Sequence, residues 1–226
     1  MRTLTLETDE VLELAAKDIS DYLRAKPDAV VAMSAGRTML SLWKHLPPDC
    51  LGQSRYFQVS EFVETPEEYS LKKMAEMHLL PISGLKPERC CWLDPEKPEA
   101  CENSIRDAGG IDLAVLGIGV NAHIGFNEPA TQFSSRTRVQ KLTEKTRMQY
   151  AWLFGSPDAV PEKACTMGIR TLTEAKKIVV IALGEEKAEA VFKMLYGRND
   201  STVPAAFLQI PSEVTVYTDL QAGSKL

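Results

Sequence analysis

The chain has 226 residues, 44% of them apolar, and a formal net charge of −5. That length fits one single-core domain over residues 1–226, and the acidic balance argues against a general nucleic-acid or anionic-membrane surface while allowing a local basic pocket. No apolar run approaches the roughly 20 residues of a bilayer-spanning helix, and MRTLTLETDE lacks the basic-then-apolar pattern of a secretory signal, so a soluble cytoplasmic chain is expected.

In chain order, an amphipathic helix is predicted over 9–25, then a strand at DAVVAM (28–33), a turn SAGRT (34–38) and a helix over 37–46. RYFQVS (55–60) reads as a strand, followed by a helix at 67–79, a strand at CCWL (90–93) and a helix at 96–107. IDLAVLGI (111–118) is the next strand and runs into the loop GIGVNAHIGFNEP (117–129). A helix at 141–154, strands KACTMGI (163–169) and KKIVVIAL (176–183), a helix at 185–196 and a strand EVTVYT (213–218) complete the pattern. VVAM, LAVL and IVVIAL do not alternate, as expected for strands buried on both faces. Strands and helices also alternate along most of the chain. Together these features predict an α/β fold, an open, doubly wound, mostly parallel sheet sandwiched by helices.

Ligands in such sheets bind beyond the carboxyl ends of the strands, which singles out SAGRT, SEF (60–62), GIGVNAH (117–123) and GEEK (184–187). In SAGRT a small turn before a helix offers backbone donors, Ser34 and Thr38 add hydroxyls, and Arg37 adds a forked cation, a set suited to phosphate. An ordinary strand-to-helix turn is the alternative. In GEEK, Lys187 sits in a first helical turn, where a cation is unfavourable unless an anion binds there or acids such as Glu186 pair with it. GIGVNA matches G-x-G-x-x-A, but no helix follows it before Pro129, so it is not a dinucleotide fingerprint. What the loop does carry is His123 with Glu128, an imidazole that titrates near neutrality beside a carboxylate able to orient it. The other reading is a structural histidine. The three histidines are far apart and the five cysteines form no C-x-x-C, so no metal site and no disulfide framework are expected.

LGIGVNAHIGFNEPA strongly resembles the signature loop of the glucosamine-6-phosphate deaminase/isomerase family, and the likeness continues through SSRTRVQKLTEKTR, KACTMGIRTL, ALGEEKAEAV and VPAAFLQIP. Within that family the asparagine before the histidine looks most like the galactosamine-6-phosphate branch. The resemblance implies cofactor-free opening of an amino-sugar 6-phosphate, a proton shift between C2 and C1, and release of ammonia to leave a ketose phosphate. It implies His123 as ring-opening acid/base, Glu128 as its carboxylate partner, and Gly36, Arg37, Thr38 and Lys187 at the phosphate. The expected partner is thus a small-molecule sugar phosphate, with the assembly open between monomer and homo-oligomer.

The chain also departs from the family's pattern. Asn121 and Ser60 stand where the family usually has aspartates, the second of them being the C1/C2 base. Ala122 replaces a glycine, and Trp152 replaces an arginine whose charge Arg37 can supply. Glu61 is the carboxylate nearest to the missing base in sequence. Three outcomes follow from these residues: an active deaminase with a rearranged base, a sugar-phosphate-binding protein without catalysis, or a hydrolase like the related 6-phosphogluconolactonases.

Overall fold

Val30 to Met33 and Lys177 to Ala182 are buried along their whole length, as their unbroken runs require. The computed structural model describes residues 1–226. The chain begins with β1 (Arg2–Leu6), α1 (Thr8–Ala25), β2 (Val30–Met33), α2 (Arg37–Trp43), β3 (Arg55–Gln58), β4 (Ser60–Phe62) and α3 (Leu71–His78). It continues with α4 (Leu80–Ser83), β5 (Cys90–Cys91), α5 (Pro98–Asp107), β6 (Leu113–Gly117), β7 (Arg138–Lys141) and α6 (Glu144–Phe154). The last part holds β8 (Lys163–Thr166), α7 (Ile169–Thr173), β9 (Lys177–Ala182), α8 (Ala188–Tyr196) and β10 (Val214–Asp219).

Seven strands form the main sheet in the order β1-β10-β9-β6-β2-β3-β5, and every neighbouring pair in it is parallel. Alternate residues of each strand feed opposite layers. Val31, Met33, Val179 and Ile181 join the side chains of α1, α2 and α3, while Val30, Ala32, Ile178 and Val180 join those of α5, α7 and α8. Each such side chain contributes about 1.5–3 kcal/mol by leaving water, so the two layers outweigh any single polar site in stability. From β2 the chain moves outward through β3 to β5 and then returns to β6 on the other side of β2. That reversal opens a crevice beyond the carboxyl ends of β2 and β6, the place where open α/β sheets bind ligands.

Three strands were not anticipated: β1, β4 and β7. RYFQVS is not one strand, because the ladder breaks at Val59. Its N–H donates to Met33 O in the main sheet (3.4 Å), while its carbonyl accepts from Met167 N (2.9 Å) in another layer. From Ser60 onward the chain therefore belongs to a second, antiparallel sheet in the order β4-β8-β7. KACTMGI is corrected in the same way. Only its first four residues are a strand, β8, and they lie in this small sheet and not among the parallel strands. The small sheet lies beside the crevice and carries Ser60 to its wall.

Candidate active site

The crevice holds a cavity of about 250 Å³, lined by residues that follow β2, β3, β6 and β9 and by one face of α6. One wall is built for an anion. Gly36 has a φ of 134°, a conformation that disfavours any other residue, and a Cβ there would come within 3.4 Å of Tyr150 Oη. Ser34 is buried and its hydroxyl has no protein partner, although it lines the cavity. A buried hydroxyl left unpaired costs roughly 1–3 kcal/mol, which a ligand oxygen would relieve. Arg37 lies over the ring of Trp152, 5.3 Å from its centroid, so the indole that replaces the family's arginine holds a cation supplied from the opposite side.

Lys187 completes this wall. It is buried, and its pKa is drawn down to about 8, chiefly by burial, with Glu186 pulling it upward and Arg37 pushing it further down. The turn that presents it is fixed from below, where Gly184 N–H donates to Asp219 Oδ2 (2.9 Å). Arg37 and Lys187 thus share one cavity, as expected, together with Ser34, Gly36 and Thr38. Two facing cations raise each other's cost until an anion enters. A bound phosphate will raise the Lys187 pKa, so above pH 8 binding must take up a proton. Affinity should hold steady just below pH 8 and fall above it, by up to about tenfold per pH unit. Calorimetry in two buffers of different ionisation heat checks this, since proton uptake at pH 8.5 should vanish in Lys187→Met.

The opposite wall holds the imidazole. Ala122 takes the left-handed conformation, φ 63°, which costs a non-glycine residue of order 1 kcal/mol. It is held there by its N–H donating to Gly119 O and its carbonyl accepting from Ala205 N, both over 2.9 Å. The ring of His123 packs directly on Gly119, where an added Cβ would lie 2.2 Å from a ring atom. His123 Nδ1 is 2.7 Å from Asn121 Oδ1, and Asn121 Nδ2 donates to Glu128 Oε2, also over 2.7 Å. The amide is therefore oriented, with its oxygen toward the ring and its nitrogen toward the carboxylate. An acceptor at Nδ1 places the proton on that nitrogen and leaves Nε2, which has no protein partner, with its lone pair available to the cavity.

Glu128 stays behind this relay. It accepts from Thr143 N (3.1 Å) and Thr143 Oγ1 (3.2 Å), and Oε2 lies 3.9 Å from His123 Nδ1. Burial holds the His123 pKa well below its usual value, against the upward pull of Glu128 and with a further push from Lys187. The ring is thus a neutral base near neutral pH. An aspartate at 121 would have set two carboxylates against each other at this distance; the amide satisfies both neighbours without that repulsion.

Ser60 lines the cavity, with Oγ 2.9 Å from Thr166 Oγ1 beneath Gly125. Glu61 does not line it, and the expectation that it replaces the missing base is corrected. Alternate residues of a strand point to opposite faces, and Glu61 points to the start of α3. Its Oε1 accepts from Phe62 N (2.8 Å) and Leu71 N (2.9 Å), and its Oε2 from Gln58 Nε2 and Lys72 N (both 2.8 Å). Such a carboxylate caps a helix and has no capacity left for a carbon acid. Glu61→Gln should lower folding stability by about 2 kcal/mol, read by urea denaturation, while leaving kcat within about twofold.

Several residues at the site had no signal in the apolar pattern. Thr143 caps α6 and binds Glu128; Thr146 Oγ1 lies 3.2 Å from His123 Nδ1; Gln149 Oε1 accepts from Val120 N (3.1 Å). Tyr150 lines the cavity as a neutral phenol, its pKa pushed up by burial and then by Glu128. The signal that could have marked the start of α6 is Thr143 itself, an N-cap threonine whose Oγ1 accepts from Thr146 N.

The switch-point crevice of this parallel sheet thus brings two cations, Arg37 and Lys187, and a buried imidazole, His123, to one cavity of an α/β fold. Residues 6–217 match the family described as glucosamine-6-phosphate isomerases/6-phosphogluconolactonase, and the chain belongs to that family. Glucosamine-6-phosphate deaminase 2 of Bacillus subtilis (strain 168) is 39% identical over 234 residues, which cover 96% of this chain and 94% of the relative. The glucosamine-6-phosphate deaminase of Clostridium acetobutylicum is 34% identical over 245 residues, 100% of each chain. A solved monomeric glucosamine-6-phosphate deaminase superposes with a TM-score of 0.93 at 32% identity, over 100% of both chains. The 6-phosphogluconolactonase from Leishmania guyanensis, with a TM-score of 0.78 and 19% identity, shares the fold.

Proposed function

We propose that this enzyme opens the ring of an amino-sugar 6-phosphate, glucosamine 6-phosphate in the first place, and converts it to a ketose 6-phosphate and ammonia. One observation carries the reading: His123, with Nε2 free and Nδ1 tied through Asn121 to Glu128, lines the same cavity as Arg37 and Lys187. The names of the relatives favour glucosamine over its C4 epimer, galactosamine, which remains the second substrate to try. The phosphate sits between Arg37, Lys187 and Ser34. His123 Nε2 takes the O1 proton as the C1–O5 bond breaks and returns a proton to O5.

The C2 proton must then move to C1, after which water displaces ammonia from C2. Ser60 is a hydrogen-bond donor at the position where the family's base is implied, and its hydroxyl is far too weak an acid to serve as that base unassisted. His123 Nε2, neutral again after ring opening, is the basic group left at the sugar end. Ser60 favours a second reading, a sugar-phosphate-binding protein without turnover. Ammonia release from glucosamine and galactosamine 6-phosphates separates the two. Release above blank supports the deaminase, whereas calorimetric binding with no release supports the binding protein.

A further inference from the structure

The two halves of this chemistry make different demands on the cavity. Ring opening needs one group that accepts a proton at O1 and delivers one at O5. The shift from C2 to C1 needs a strong base aimed at a carbon acid, and a substrate ammonium at C2 needs an anion near it. His123 meets the first demand in full. For the second, every carboxylate near the site is out of position. Glu128 has both oxygens engaged behind Asn121, and Glu61 has both engaged at the start of α3. Glu186 is the one carboxylate that lines the cavity. It folds back on the Gly184 turn, its Oε2 2.5 Å from where a Gly184 Cβ would lie, at the phosphate wall and away from the sugar end. The sugar end itself is neutral: Ser60, Gln149, Tyr150 and the uncharged imidazole.

From this we infer a further activity, the interconversion of the α and β anomers of hexose 6-phosphates that carry a hydroxyl, with no amine, at C2. The inference rests on reading the cavity as a sugar-phosphate site, but not on ammonia release. The O1–H proton passes to His123 Nε2, the O1 electron pair forms the C1 carbonyl, and the C1–O5 bond breaks. O5 takes the proton from Nε2, which leaves the open-chain aldehyde and a neutral ring. Rotation about C1–C2 presents the other carbonyl face, O5 adds back to C1, and the proton returns through Nε2 to O1. Nothing is oxidised, reduced or lost, and no group at C2 takes part. A neutral sugar end binds a C2 hydroxyl without the desolvation penalty that an unpaired ammonium would meet.

Exchange NMR on glucose 6-phosphate and galactose 6-phosphate, with the full-length chain, tests this. The α/β exchange rate should rise above blank in proportion to enzyme concentration. It should fall by about 10²-fold or more in His123→Gln, the effect of losing a general acid/base. Lys187→Met should instead raise KM and leave the rate at saturation nearly unchanged, a split that holds the proposal to account if His123→Gln does not fold. No acceleration by the wild type, or an acceleration that survives His123→Gln, overturns the proposal. Ammonia release without anomer exchange would overturn it and leave the deaminase standing. Anomer exchange without ammonia release would support it and remove the deaminase.

Discussion

His123→Ala is expected to lower ring-opening turnover by about 10²–10⁴-fold, roughly 3–5 kcal/mol of barrier, and to change sugar-phosphate affinity by less than about threefold. The two effects separate because the groups sit on different walls. Arg37, Lys187 and Ser34 are the residues proposed for the phosphate, and the imidazole contacts none of them through a hydrogen bond. The fold should survive the change. Glu128 keeps its bonds from Asn121 and Thr143, so removing the ring leaves no buried carboxylate unpaired. Isothermal titration with the substrate phosphate, alongside turnover, checks the split. Equal loss of binding and turnover would show that His123 only shapes the pocket.

Ser60→Asp is the substitution with the largest expected gain. It restores a carboxylate where the resemblance implies the C1/C2 base, and ammonia release should rise by about 10²–10⁴-fold if that step limits the wild type. The site can take it. Ser60 already faces the cavity, so the added atoms extend into open space, and Thr166 Oγ1 at 2.9 Å can donate to one carboxylate oxygen. Arg37 and Lys187 line the same cavity and partly offset the cost of a buried charge. Ammonia release measured for both amino-sugar phosphates decides the matter. An unchanged rate would mean that C2 proton transfer is not the slow step, and His123 would then carry both proton transfers without need of help.

Much of the fold was legible because it rests on burial from both sides. VVAM, LAVL and IVVIAL do not alternate, as interior parallel strands require, and their carboxyl ends mark the Arg37 and Lys187 turns and the histidine loop. The small antiparallel sheet was hidden for a physical reason. RYFQVS is apolar across the break at Val59, and only the partners of that residue's N–H and carbonyl show where one sheet ends and the other begins. Glu61 misled for a related reason. Its donors at Leu71 and Lys72 lie ten and eleven residues downstream, beyond the reach of a local motif. β1 did leave a trace, the alternation of TLTL, yet its place at the sheet's edge depends on a strand two hundred residues away. The inward face of α6, with Thr146, Gln149 and Tyr150, had no clean apolar stripe to announce it.

The order of the main sheet has a consequence for how the molecule comes into being. β1 is made before the other nine strands, yet its sole neighbour is β10, made after all of them, and β10 must slot between β1 and β9. For most of synthesis the opening strand has no lateral partner, and β9 shows a bare edge on the side that β10 will fill. Pairings so distant in sequence close slowly, and unpaired edges are where growing chains stick to one another. The same late strand brings in Asp219, which seats the Gly184 turn and so sets the cation at Lys187. The turn that carries Lys187 is thus made after both the Arg37 turn and the His123 loop, and it is seated against Asp219 only as β10 docks.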